Sequence, residues 1–158
     1  MPNSAGRLHK ALESRSLTVA TAESCTGGGL AACLTDTPGA SAIFLGGIVA
    51  YHNRAKIDLL GVPEEILARH GAVSPETAEA MARGAARRFS TDIGVGITGI
   101  AGPGGGSADK PVGLVYIAVF DVRGAQARRF DFAGDRACVR RQAIDAAVEL
   151  TLQRLCEF

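Results

Sequence analysis

Hydrophobic and polar residues alternate along the chain in blocks that switch between helical and strand periodicity. Leu8 and Leu12 lie one helical turn apart, together with the aliphatic stem of Lys10, whereas short apolar runs bounded by Ser, Gly or Glu are typical of strands. In chain order the blocks predict a helix over 5–15, a strand over 17–22, a helix over 27–34, a strand over 43–51, short helices over 53–60 and 63–70, a helix over 74–89, a strand over 93–97, strands over 112–121 and 126–132, and a helix over 135–155.

Two local signals refine this pattern. Ser74 followed by Pro75 is typical of a helix N-cap with proline at the first helical position, and Arg123-Gly124 between two strand patterns predicts a hairpin. Strands and helices alternate, and an antiparallel pair stands near the end of the chain. The pattern therefore predicts an α/β fold, a three-layer α/β/α sandwich around a mixed β-sheet, in one domain over residues 1–158.

Charge and composition narrow the class of protein. The 158 residues are 47% hydrophobic and carry 17 basic against 16 acidic residues, for a net charge of +1, with no dense basic run that would follow a phosphate backbone. No apolar stretch is long enough for a membrane span, and the amino terminus lacks an apolar signal core. We therefore expect a cytoplasmic protein with no nucleic acid and no membrane as partner. The four cysteines are widely spaced, which argues against a zinc knuckle or structural disulfides and predicts mostly buried thiols.

Residues 20–28 combine small side chains with two potential nucleophiles, Ser24 and Cys25, between a predicted strand and a predicted helix. Unpaired backbone N–H groups at the start of a helix can stabilise a developing oxyanion. Ser24 is either a nucleophile or simply a helix N-cap. Cys25 is a rival nucleophile, although a buried hydrophobic role is the stronger interpretation for it.

A nucleophilic serine needs a base, and the sequence offers two types. The three histidines, His9, His52 and His70, fall in segments typical of exposed surface, so no Ser-His-Asp triad is visible. The alternative is a lysine whose pKa is lowered by burial. Lys56 follows a predicted strand beside apolar residues, and it is either such a base or a solvated surface lysine. Lys110 follows a glycine-rich loop but lacks the Walker arrangement, which disfavours a phosphotransferase.

Anion binding has two candidate segments. Residues 98–107 are dominated by glycine, which lets a ligand approach the backbone closely. Arg136, Arg140 and Arg141 cluster at the start of the last predicted helix, where they form either a phosphate clamp or an exposed helix face.

Nine short strings in a fixed order resemble the nicotinamide-nucleotide amidohydrolases, the CinA carboxy-terminal domain family, over nearly the whole chain. The strings are Thr21-Ala-Glu-Ser-Cys-Thr-Gly-Gly28, Pro38-Gly-Ala-Ser41, Phe44-Leu-Gly-Gly47, Tyr51-His-Asn-Arg-Ala-Lys56, Leu60-Gly-Val62, Gly71-Ala-Val-Ser74, Thr98-Gly-Ile-Ala-Gly-Pro103, Lys110-Pro-Val-Gly113 and Gly134-Asp-Arg136. The resemblance implies the three-layer α/β/α fold that the pattern also predicts.

The resemblance implies hydrolysis of the carboxamide of nicotinamide mononucleotide to nicotinate mononucleotide and ammonia, without metal or organic cofactor. It places the nucleophile at Ser24 and the base at Lys56, and we expect Tyr51 to hold the lysine or relay its proton. We expect backbone N–H groups over 25–27 to hold the oxyanion, and Arg140 with the glycine loop to meet the phosphate, with Thr98 or Ser107 as further donors. The predicted substrate-binding residues are Cys25, Thr26, Gly27, Gly102, Gly104, Gly105 and Arg140.

His52 stands where many members have serine, and it is close enough in sequence to Lys56 to alter its pKa or compete as base. A catalytically silent nucleotide-binding or regulatory domain of the same fold is the alternative function. Many members also carry an amino-terminal domain that resembles molybdopterin-binding proteins, whose activity we expect to be absent here. The apolar segment Gly46–Val49 suits self-association, so we expect a homo-oligomer, with a dimer as the first choice.

Overall fold

Five strands and six α-helices make up residues 4–157, the part of the chain that the computed structural model describes. The elements are α1 (Ser4–Glu13), β1 (Val19–Glu23), α2 (Gly29–Thr35), β2 (Phe44–Val49), α3 (Asn53–Leu60), α4 (Glu64–His70), α5 (Pro75–Phe89), β3 (Ile93–Gly99), β4 (Leu114–Asp121), β5 (Gly124–Asp131) and α6 (Arg136–Cys156). A short 3₁₀ turn, Ala40–Ala42, precedes β2.

The strands form one mixed sheet in the order β2-β1-β3-β4-β5. β1 pairs in parallel with β2 and with β3, while β4 pairs antiparallel with β3 and with β5. β1 and β3 are buried along almost their whole length, as expected for central strands that are covered on both faces. The predicted hairpin is thus confirmed as β4–β5.

Helices cover both faces of this sheet. α1, α2 and α6 pack together on one face, and α5 lies across β3, β4 and β1 on the other, with α3 and α4 packed against it. The first face has one core cluster, with residues such as Leu8, Ile97 and Val148, and the second face has two, one around Met81 and one around Ala82. The predicted three-layer α/β/α sandwich is confirmed.

α5 approaches β3 unusually closely. Gly94 and Gly96 face the helix, and a methyl group at either position would overlap the backbone carbonyls of Ala82 and Ala78. Ser74 caps α5 by accepting a hydrogen bond from the Thr77 N–H at 3.1 Å, and Pro75 opens the helix, as predicted. The small residues of β3 therefore set how near the helical layer lies to the sheet.

The carboxyl ends of β1, β2 and β3 lie side by side at one edge of the sheet. The chain leaves β1 through α2 on one face and leaves β2 through α3, α4 and α5 on the other. In open α/β sheets, ligands bind at such a divergence, outside the carboxyl ends of the strands. The topology therefore brings the segments after residues 23, 49 and 99 to one crevice.

Candidate functional site

Ser24 follows directly after β1 and opens a tight turn. Its N–H donates to the Ile97 carbonyl at 3.0 Å, and its own carbonyl accepts from the Gly27 N–H at 3.1 Å. Gly27 and Gly28 have φ values of +60° and +97°, so these two residues cannot continue a helix and α2 begins at Gly29. The predicted helix start at residue 27 was therefore wrong by two residues, and Ser24 is not the N-cap.

Lys56 lies in α3, the helix that follows β2, and its side chain reaches Ser24. Its Nζ lies 3.2 Å from Ser24 Oγ and donates to the Ala50 carbonyl at 3.0 Å and to the Tyr51 carbonyl at 3.2 Å. Lys56 is 1% exposed and Ser24 8% exposed. The interpretation of Lys56 as a solvated surface lysine is therefore wrong, and the two side chains that the sequence singled out are in contact.

The environment of Lys56 favours its neutral form. Burial lowers the pKa of Lys56 because the ammonium loses hydration, and this outweighs the opposing influence of Cys25. No carboxylate lies among the described residues that line the cavity around Nζ. In the structure Nζ donates to Ser24 Oγ as well as to the two carbonyls; once neutral, the amine has two N–H groups for the carbonyls and a lone pair for the hydroxyl.

Tyr51 holds Lys56 as one of its two predicted roles required, whereas His52 has a different role from those predicted. The Tyr51 backbone carbonyl holds Lys56, whereas its side chain is 58% exposed and its hydroxyl accepts a hydrogen bond from Arg136 Nη2 at 2.8 Å. Tyr51 therefore holds the lysine through its main chain. His52 is exposed and caps α3, its Nδ1 accepting from the Arg54 N–H at 3.1 Å. Its ring is thereby committed to the helix cap and is not among the residues that line the cavity.

A cavity of about 260 Å³ opens over Ser24 and Lys56. The segment after β3 forms one wall of it, and the segment before α5 forms another. Its lining residues are Ser24, Cys25, Tyr51, Lys56, Ala72, Val73, Thr98, Gly99, Ile100, Ala101, Gly102, Gly104, Gly105 and Arg136. Of the predicted substrate-binding residues, Cys25, Gly102, Gly104 and Gly105 thus line this cavity, while Thr26, Gly27 and Arg140 do not.

Arg136, and not Arg140, lines the cavity over Ser24 and Lys56. Its Nη1 donates to the Gly102 carbonyl at 2.8 Å, and its Nη2 bridges to the Tyr51 hydroxyl, so the guanidinium spans the mouth of the cavity. Arg140 instead donates to the Thr26 carbonyl at 3.2 Å and lines an adjoining cavity of about 490 Å³ that shares Arg136 and Ala101 with the first. The sequence signal for Arg136 was its position at the first turn of α6, which faces the glycine loop.

Two backbone N–H groups beside Ser24 remain available. Within residues 4–157, the N–H groups of Cys25 and Thr26 donate to no other residue, whereas that of Gly27 donates to Ser24. The donor set predicted over 25–27 is therefore reduced to two members. An unpaired buried N–H is rare in proteins, and such groups are the usual components of an oxyanion hole.

The remaining candidates stand further from the reacting pair. Lys110 Nζ donates to the His70 carbonyl at 2.6 Å and ties the glycine loop to the end of α4. Thr98 lines the cavity but donates its hydroxyl to the Ala72 carbonyl at 2.6 Å, and Ser107 accepts from the Lys110 N–H. His9 is buried in α1, contrary to the prediction of an exposed histidine, because it shares a helix face with Leu8 and Leu12.

All four cysteines are free, and only Cys25 is buried. Burial raises the pKa of the Cys25 thiol to about 11, so the thiol is protonated at neutral pH. This disfavours Cys25 as the nucleophile and confirms its interpretation as a buried residue. The broader expectation of mostly buried thiols was wrong, since Cys156 is exposed and Cys33 and Cys138 are partly exposed.

Two absences apply to residues 4–157. No group of three or more His, Cys, Asp or Glu side chains lies close enough together to hold a metal ion. No helix in this range is long and apolar enough to cross a bilayer.

Comparison with known proteins gives a consistent assignment. Residues 2–155 match the family described as CinA C-terminal domain. A CinA-like protein of Desulfotalea psychrophila is 46% identical over 148 residues, which cover 94% of this chain and 36% of that protein. The chain thus spans about a third of the length of the curated relatives it matches.

Solved structures agree with the sequence match. The competence/damage inducible protein CihA from Agrobacterium tumefaciens is 44% identical, with a TM-score of 0.92 over 96% of this chain and 93% of that one. A competence-damaged protein (CinA) superfamily protein from Klebsiella pneumoniae is 35% identical, with a TM-score of 0.95 over 98% and 97% of the two chains. The chain therefore belongs to the CinA C-terminal domain family.

Proposed function

We propose that the chain hydrolyses the carboxamide of nicotinamide mononucleotide to nicotinate mononucleotide and ammonia through an acyl-enzyme on Ser24. The observation that carries this proposal is the 3.2 Å contact between Ser24 Oγ and the Nζ of a buried lysine. Serine is a weak nucleophile unless a neighbouring base removes its proton, and a neutral lysine can do so near neutral pH. A silent binding domain has no need of such a pair.

The first half of the reaction forms the acyl-enzyme. The two N–H groups of neutral Lys56 remain bonded to the carbonyls of Ala50 and Tyr51, so its lone pair faces the Ser24 hydroxyl. Lys56 takes the proton as Oγ attacks the carboxamide carbon, and the negative charge develops on the carboxamide oxygen. The N–H groups of Cys25 and Thr26, next to Ser24 in the chain and without backbone acceptors, are the donors that we assign to that oxygen. The intermediate then collapses, and the lysine ammonium gives its proton to the nitrogen that leaves as ammonia.

The second half returns the enzyme to its starting state. Lys56, neutral again, takes a proton from a water molecule that attacks the ester carbon. The second tetrahedral intermediate expels Ser24 Oγ, which recovers its proton from the lysine, and nicotinate mononucleotide is released. Each proton that Lys56 takes is returned within the same half-reaction, so the lysine is neutral again at the end of each half.

The phosphate end of the substrate is best met by Arg136. Its guanidinium lies at the junction of the two cavities, and a planar guanidinium suits bidentate contact with phosphate oxygens. The exposed residues Gly104 and Gly105 leave backbone accessible beside it. Arg140 lines the second cavity but not the first, so we assign it a supporting position behind Arg136.

Ammonia release from nicotinamide mononucleotide tests the proposal. We expect release by the parent chain, and a loss of at least about a thousandfold in kcat for Ser24→Ala and for Lys56→Met, because nucleophile and base act as one unit. Matched controls are Ser14→Ala and Lys10→Met, which change exposed residues of the same types and leave the rate unchanged. Acid quenching during turnover, followed by intact-mass measurement, should detect the acylated chain in the parent and not in Ser24→Ala.

Two outcomes contradict the proposal. Equal rates for the parent and Ser24→Ala would remove the serine from the mechanism. No ammonia from a folded parent chain, together with measurable binding of the nucleotide by calorimetry, would favour the silent binding domain.

A further inference from the structure

Glu23 is a buried carboxylate at the end of β1, directly before Ser24. It is 1% exposed, and no lysine, arginine or histidine forms an ion pair with it among the described residues. Its oxygens instead accept three hydrogen bonds. Oε1 accepts from the Thr26 hydroxyl at 2.7 Å and from the Leu30 N–H at 2.8 Å, and Oε2 accepts from the Ala31 N–H at 3.0 Å.

These bonds replace a cap that α2 lacks. The residue at its N-cap position is Gly28, which has no side chain to accept a hydrogen bond from the first turn. Glu23 supplies the acceptor from the strand, five residues earlier, and its negative charge faces the positive end of the helix. Glu23 therefore connects both ends of the turn over 24–28. Its backbone is the end of β1, and its side chain accepts hydrogen bonds from the start of α2.

The hydrogen bonds of this turn also determine which N–H groups stay free. Glu23 occupies the donors of Leu30 and Ala31, and Ser24 occupies that of Gly27, so the N–H groups of Cys25 and Thr26 are left without partners. Thr26 cannot rotate freely, because its hydroxyl is fixed on the same carboxylate. A buried donor that loses its acceptor seeks another one. Loss of the carboxylate would therefore allow the turn to rearrange, so that the N–H groups of Cys25 and Thr26 find acceptors within the chain.

We propose that Glu23 is a positioning residue that holds Ser24 and the free N–H groups of Cys25 and Thr26 in the geometry of acyl transfer. This inference rests on the proposed function. Its effect is on the transition state, because the nucleophile and the oxyanion donors act on the reacting carbonyl, whereas Arg136 and the glycine loop hold the substrate from other segments. The expected signature is a lower kcat with little change in KM.

Glu23→Gln is the first test. The glutamine keeps one acceptor oxygen but turns an amide N–H₂ toward either Ala31 N–H or the Thr26 and Leu30 donors, and it removes the charge. We expect kcat for ammonia release to fall at least about tenfold, with KM within about threefold of the parent. In amide hydrogen exchange followed by NMR, the Leu30 and Ala31 N–H groups should be protected in the parent and should exchange faster in Glu23→Gln.

Thr26→Val is the second test and keeps the carboxylate, so it remains informative if Glu23→Gln does not fold. It removes one of the three bonds at nearly constant volume, and we expect a smaller loss of kcat that Thr26→Ser restores. Glu149→Gln is the matched control, because Glu149 also accepts a hydrogen bond from a hydroxyl, that of Ser4 at 2.7 Å, but far from Ser24 in α6. It should lower the stability without changing kcat.

The outcomes separate this inference from the proposed function. If the parent releases no ammonia, the proposed function fails, and the exchange of Leu30 and Ala31 still reports whether Glu23 orders the turn. If the parent is active and folded Glu23→Gln keeps the parent kcat, the positioning role is wrong. Equal losses of kcat in Glu23→Gln and Glu149→Gln would show that the loss comes from lower stability in general, and this result would also overturn the positioning role.

Discussion

Asp121 lies at the end of β4 that is remote from the candidate site, and its removal should destabilise the fold in a pH-dependent way. Its side chain is 2% exposed and accepts hydrogen bonds from Arg154 at 2.7 Å and from Arg123 at 2.6 Å. This cluster ties the β4–β5 hairpin to the last turn of α6. We predict that Asp121→Asn weakens that connection, mainly through loss of the negative charge.

The magnitude follows from the pKa of Asp121. Burial alone would raise this pKa, but hydrogen bonds from Arg123 and Arg154 outweigh burial and lower the pKa from 3.8 to about 2. Each pKa unit corresponds to about 1.4 kcal/mol, so the ionised carboxylate stabilises the native state by roughly 2 to 3 kcal/mol at neutral pH. Arg154 retains Gln126 Oε1 and the Gly124 carbonyl as acceptors, which keeps the cost of the variant near this range.

The sign of the pH dependence is fixed by the lowered pKa. The stabilisation is complete above the unfolded-state pKa, near 3.8, and is lost as the pH falls toward 2. Urea unfolding of the parent and Asp121→Asn should therefore show a difference of roughly 2 to 3 kcal/mol at pH 7 that shrinks below about pH 4. Asp131→Asn removes an exposed partner of Arg129 and serves as the control, with no change expected. A difference that stays constant from pH 7 to pH 2 would refute the reasoning.

The remaining predictions concern Lys56, Cys25 and two glycines. Because neutral Lys56 is the proposed base and burial lowers its pKa, kcat/KM should rise with pH and level off below the range of an ordinary lysine, and Lys56→Arg should be inactive across the whole pH profile. Because the Cys25 thiol has a pKa of about 11, iodoacetamide at pH 7 should leave the activity unchanged, and mass spectrometry should find Cys25 unmodified. Gly94→Ala should lower the free energy of unfolding by at least about 1 to 3 kcal/mol, because the new methyl group overlaps the Ala82 carbonyl. Gly6→Ala in α1, which meets no neighbour, should instead raise it by about 0.5 to 1 kcal/mol.

Local sequence patterns were sufficient for the order and type of the elements. The periodicities, the Ser74-Pro75 cap and the hairpin turn at Arg123-Gly124 are short-range features, and each was confirmed. The strand predicted over 43–51 was too long, because Ala50 and Tyr51 leave the sheet and turn their carbonyls toward Lys56. That departure depends on a side chain from the next helix, which strand periodicity does not encode.

The candidate site was predictable in part. Ser24 and Lys56 could be named from residue type and resemblance, but their contact depends on the parallel register of β1 and β2, where Glu23 pairs with Val49. Arg136 could not be separated from Arg140, because only the direction in which α6 enters the fold decides which guanidinium reaches Tyr51. A turn was predicted within residues 20–28, but the start of α2 was placed two residues too early, and capping of that helix by a strand carboxylate has no short-range signature.

The cause of the lowered pKa of Lys56 has a consequence for how the site responds to its surroundings. If neighbouring cations lowered the pKa of the base by repulsion, that pKa would change with dissolved salt, because mobile ions screen charges over about 8–10 Å under ordinary conditions. Lys56 is instead shifted by exclusion of water, with no cation contributing to its shift. Ions in the medium therefore have little influence on its proton affinity, and the reactivity of Ser24 should be the same in dilute buffer and in concentrated sodium chloride.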